Sequence, residues 1–115
     1  LTGLLDAALG LAAAARIERQ TAWQALEPLI RGTLENISKL GTEGALTGPI
    51  ARGDSRTVTA HLAALDEREG ELPGLYRALG NWTVDLALRK GSIDEAAARA
   101  LREALAGRNE QGRTT

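Results

Sequence analysis

From one end of the chain to the other, apolar residues recur three and four positions apart, and nowhere do they alternate with polar ones as a strand requires. In "LTGLLDAALGLAAAAR", Leu4, Leu5, Ala8, Leu9, Leu11, Ala12 and Ala15 draw one helical stripe. In "ERQTAWQALEPLIRGTLENISKLG", Ala22, Leu26, Leu29, Ile30, Thr33, Ile37 and Leu40 draw a second, and Gly41 offers it a stop. Pro28 lies inside that stripe; it lacks an amide proton and its ring crowds the preceding turn, so a kink or break near Ala25 to Glu27 is expected, with two packed halves.

A third stripe, Val58, Leu62 and Leu65, follows Asp54, whose carboxylate is placed to cap it by accepting from the amide of Arg56 or Thr57. Glycine and charge in "DEREGE" close it. Pro73 suits the first turn of a fourth helix, with Leu72, Leu75, Tyr76, Leu79, Trp82, Val84 and Leu86 as the largest apolar face in the chain. After Gly91, Ser92 to Glu95 has capping-box spacing, and Ile93, Ala97, Ala100, Leu101, Ala104 and Leu105 form the last stripe. The sequence therefore predicts an all-α domain of about five or six helices over residues 1–106. The polar stretch 107–115 is expected to be a disordered tail.

At 115 residues the chain has the length of one domain, and folding at that size removes roughly two-thirds of the unfolded surface from water. The core must be built without Phe, Met or Cys, from aliphatic residues, two Trp and one Tyr, which implies closely packed helices. Fourteen Lys plus Arg against fifteen Asp plus Glu leave a net charge of -1, which gives no support to nucleic-acid binding. The lack of cysteine excludes disulfides and thiolate metal sites and fits a cytoplasmic protein. No apolar run reaches the length of a membrane span. Asp6 and the missing basic leader argue against a signal peptide, and without an initiator Met the chain is expected to be a piece of something longer.

The stretch "ALTGPIARGDS", Ala45 to Ser55, departs from the helical pattern. Gly41 to Gly53 reads as a long loop. Gly48 to Ser55 nearly matches a phosphate-binding loop, but Asp54 stands where that motif needs a lysine, and a carboxylate there repels phosphate. The Arg52-Gly53-Asp54 tripeptide is explained by a turn at Gly53 and a cap at Asp54, leaving Arg52 and Thr47-Gly48-Pro49 without a role. His61 is the only histidine, two turns after Asp54; one histidine excludes a histidine-pair metal site, and it is the candidate for proton transfer. Trp23, Tyr76 and Trp82 read as core or helix-interface residues. The alanine-rich stripes of the first and last helices are candidate association surfaces.

The run "LEPLIRGTLENISKLGTEGALTGPIARGDSRTVTAHLAAL" resembles the C-terminal helical domain, a domain of unknown function, of a bacterial family of uncharacterised Rossmann-like oxidoreductases. The resemblance spans roughly Leu4 to Leu88. Its most specific part is Ala45-Leu46-Thr47-Gly48-Pro49, Arg52-Gly53-Asp54 and His61-Leu62, preceded by Pro28-Leu29 and Thr33-Leu34-Glu35-Asn36. It implies a plan similar to 6-phosphogluconate dehydrogenase, pyrroline carboxylate reductase and ketopantoate reductase. In that plan a missing N-terminal domain binds NAD or NADP, and the helical domain forms the substrate side of the cleft and a homodimer.

No cofactor or metal is expected in this chain itself, which lacks the strand, glycine-rich turn and helix of a dinucleotide site. The implied substrate-side residues are Thr47, Gly48, Pro49, Arg52, Gly53, Asp54 and Asn36, with Arg52 or Arg56 suited to hold a carboxylate or phosphate. His61 is the implied proton-transfer residue. A small-molecule substrate is expected, and neither nucleic acid nor membrane. The competing expectation is a non-enzymatic helical module for dimerisation or scaffolding.

Overall fold

The computed structural model describes residues 1–68 and 70–107, and the backbone of 108–114. Five helices follow one another: α1 (Thr2–Ala14), α2 (Arg19–Ala45), α3 (Ser55–Asp66), α4 (Leu72–Lys90) and α5 (Glu95–Thr114). The fold is all-α, and no strand occurs among the described residues. The chain divides into two compact units, Leu1–Gly41 and Thr42–Thr115. The disordered tail expected over 107–115 falls where side chains lie outside the described residues; the backbone of α5 leaves helical geometry at Gly107.

In the first unit, α1 ends with the Ile17 amide donating to the Ala12 carbonyl and the Arg16 amide to that of Ala13. This closure puts Arg16 at a φ of 64°, a conformation more comfortable for glycine. An exposed ion pair of 2.9 Å joins Arg19 to Asp6 across the turn. α2 then runs through Pro28 without the break expected near Ala25 to Glu27; its one non-helical residue is Gly41, at φ 75° and ψ 175°. Pro28 is exposed, so the carbonyl it leaves unbonded one turn back opens toward water, which can satisfy it. The helix resumes after Gly41 as far as Ala45, which shortens the loop expected over Gly41 to Gly53.

In the second unit, α3, α4 and α5 pack around Val58, Leu62, Val84, Ala98, Leu101 and Leu105, with Ile50, Tyr76, Leu88, Ile93 and Ala104 against them. α4 buries a different face from the one its bulky residues suggest. Pro73, Gly80, Val84 and Ala87 are inside, whereas Leu75 and Leu79 are exposed and Trp82 is 71% exposed. Close packing decides this. A Cβ built on Gly80 would lie 2.6 Å from Leu105 Cδ2, so α5 approaches α4 through the space where a side chain would be.

Arg77 fastens the same three helices. Its guanidinium donates to both Asp66 carboxylate oxygens at 2.9 and 3.1 Å, and its Nε to the Leu105 carbonyl at 2.9 Å. α5 starts later than its capping-box pattern predicts. Ser92 is taken up by the end of α4, where Gly91 turns left-handed and the Ser92 amide donates to the Ala87 carbonyl. Asp94 caps α5 instead, its carboxylate accepting from the Ala97 amide at 2.8 Å. Ala98 replaces Ala100 on the buried stripe.

Candidate functional site

The loop entering α3 is set by its glycines. Gly48 has φ 98°, and one helical turn follows it. That turn closes with the Gly53 amide donating to the Ile50 carbonyl and the Asp54 amide to the Pro49 carbonyl at 2.8 Å. Gly53, at φ 70°, adopts a left-handed backbone angle that favours glycine, and a Cβ there would meet the Ala97 Cβ at 3.4 Å, about van der Waals contact. Asp54 caps α3 as the sequence predicts. Its carboxylate accepts from the Thr57 hydroxyl at 2.7 Å and from the Thr57 amide at 3.1 Å. These bonds, the hydroxyl first and the amide second, hold the Asp54 carboxyl below its ordinary pKa against an opposing desolvation, with Arg52 and Arg56 lowering it by less.

Beside this loop the second unit holds a groove of about 300 Å3, lined by Thr47, Pro49 and Ile50 from the loop, His61 from α3, and Tyr76, Leu79, Gly80 and Thr83 from α4. None of these side chains carries a formal charge unless His61 is protonated. The His61 Nδ1 and the Tyr76 hydroxyl lie 2.9 Å apart, and the two rings meet edge to face at 88° with centroids 5.9 Å apart. Burial pushes the Tyr76 phenol above its ordinary pKa, so it remains protonated at neutral pH. The Thr83 hydroxyl donates to the Leu79 carbonyl at 2.7 Å, which leaves its oxygen free to accept.

Of the residues singled out in the sequence, the groove gathers Thr47, Pro49 and His61. Gly48 and Gly53 shape the loop and Asp54 caps the helix, so their contribution is to the scaffold. Arg52 is not among the groove's lining residues; it is mostly exposed and lies 3.8 Å from Asp54. Asn36 stands exposed on α2, in the first unit.

Gly80 and Thr83 escaped the sequence reading because the stripe counted on α4 was its bulky one, and Tyr76, read as a core or helix-interface residue, does pack against the core but also reaches the groove. A signal was present: Tyr76, Leu79, Gly80 and Thr83 fall at intervals of three and four, an amphipathic ridge of ring, hydroxyl and gap. Among the described residues no cluster of three or more metal-ligating side chains occurs, and no helix is long and apolar enough to cross a membrane.

Comparison with known proteins gives one relationship. A family described as "Domain of unknown function (DUF2520)" matches residues 1–83, a stretch that contains every residue lining the groove. No curated protein matches, and no solved structure matches.

Proposed function

The chain belongs to the DUF2520 family, whose match covers most of its length, and we propose, on the resemblance described above, that it is the C-terminal, substrate-side domain of an NAD(P)-dependent oxidoreductase. In this reading the dinucleotide is bound by an N-terminal Rossmann domain of the same protein, and the helical domain is not catalytic alone. The groove forms one wall of the substrate site, with His61 at its rim to exchange a proton and Thr47 and Pro49 contacting the substrate. The observation that carries the reading is the pairing of the chain's one histidine with its one tyrosine beside the glycine-shaped loop, all within the family-matched stretch. Ligand sites favour such concave, mostly apolar places with a few polar groups.

The protein encoded with its upstream region is expected to bind NADH or NADPH, and His61→Gln is expected to lower its turnover while leaving dinucleotide affinity unchanged. Wild-type turnover in that variant across pH would remove His61 from the chemistry. Arg52→Ala in the same protein asks whether an anionic part of the substrate reaches beyond the groove to that guanidinium; unchanged substrate affinity would dismiss it.

A second reading, a non-enzymatic module for helical association, is favoured by α2. Trp23, Leu29, Leu34, Ile37 and Leu40 are exposed on it, Leu29 at 68%. Both readings expect a homodimer in a cytoplasmic protein. They separate on turnover, which only the first requires.

A further inference from the structure

Imidazole has two ring nitrogens, and a bond at one decides what the other can do. In this groove Nδ1 of His61 is engaged by the Tyr76 hydroxyl, so Nε2 is the nitrogen left for a ligand. A phenol O–H is a stronger donor than acceptor, and an unprotonated ring nitrogen is a stronger acceptor than a phenol oxygen. The 2.9 Å contact is then Tyr76 O–H donating to Nδ1, with the proton of the neutral ring on Nε2.

We propose that Tyr76 is a positioning residue that fixes His61 as an Nε2–H donor, and that the groove binds an uncharged, largely apolar molecule through a carbonyl oxygen accepting from that donor. The rest of the lining agrees with such a ligand. Pro49, Ile50, Leu79 and the bare backbone of Gly80 offer an apolar bed, and no lysine, arginine, aspartate or glutamate lines the groove to compensate a charged guest. Thr83 presents an acceptor oxygen and Thr47 a hydroxyl, so a hydroxyl or amide near the carbonyl has partners as well. The edge-to-face contact of the two rings restricts rotation of the imidazole, so the donor direction is set before a ligand arrives.

The inference rests on the groove being the substrate wall, as proposed above, but requires no dinucleotide. Because His61 is the only histidine, two-bond proton–nitrogen NMR of the 115-residue chain reports one ring without ambiguity. At a pH where the ring is neutral, an unprotonated Nδ1 and a protonated Nε2 are expected, and Tyr76→Phe, with its fold verified by circular dichroism, should give a mixture of tautomers.

Titration with cyclohexanone should shift the His61 resonances and saturate, with affinity roughly two- to fivefold weaker in Tyr76→Phe, because affinity falls by the fraction of rings that keep the Nε2–H tautomer. Cyclohexanecarboxylate should not compete. A protonated Nδ1 in the wild type, cyclohexanone affinity unchanged in Tyr76→Phe, no saturable binding of the ketone, or preference for the carboxylate would each overturn the proposal. A longer protein that shows no turnover with NADH or NADPH would remove the oxidoreductase reading and leave this tautomer and this ligand class standing.

Discussion

Asp54 shows how one side chain can account for a motif that suggests several others. Its two oxygens are occupied by the hydroxyl and the amide of Thr57, which is why neither phosphate binding nor a displayed tripeptide is needed to explain it. Its pKa is lowered in the folded chain, so its contribution to stability is present above about pH 4, where the unfolded carboxyl is ionised, and is lost as pH falls through the lower folded value. Asp54→Asn, which keeps an oxygen to cap the helix, is expected to flatten the acid limb of the melting temperature below about pH 4 while remaining folded at pH 7. Thermal melts of both proteins from pH 2.5 to 7 measure this. An identical acid limb in the variant would assign the acid sensitivity to other carboxylates.

The helices divide into those whose sequence discloses their surroundings and those whose does not. The existence of the five helices and the Asp54 cap are legible because they depend on neighbours three to five residues away. The buried face of α4 is not, because it depends on Leu105, on another helix, occupying the volume that Gly80 lacks. A count of large apolar residues points to Leu75, Leu79 and Trp82, whereas the tight contact selects the small ones. The same limit hides the site: His61 and Tyr76 stand on different helices, and no spacing rule joins them. Gly80→Ala is expected to test this contact directly. Alanine improves helix propensity by about 1 kcal/mol, but crowding Leu105 in a filled core costs about 1–3 kcal/mol, so a net loss of up to about 2 kcal/mol in urea unfolding is expected. A gain in stability would mean that Leu105 moves aside freely.

At the scale of the whole chain, the two units differ in how they satisfy their apolar residues. Nearly every buried side chain among the described residues belongs to the second unit, and Ala22 alone to the first. An amphipathic helix that keeps Leu29, Leu34 and Leu40 exposed carries the pattern of a surface that associates. Sedimentation equilibrium of the chain is expected to show a dimer, and the double substitution Leu29→Gln and Leu40→Gln a monomer with the second unit intact by NMR. A wild-type monomer at all concentrations would leave that face without a self-partner.

The family match ends at residue 83, before α5 begins, although Leu105 on α5 fills the space beside Gly80. Kinship is thus recorded on one side of a contact whose other side lies outside the record. Side-chain size at the two positions should be exchanged in evolution as a pair: a relative that acquires a methyl group where Gly80 stands must give up bulk on its last helix to keep the same spacing. The identity of residue 105 is in that sense a statement about α4.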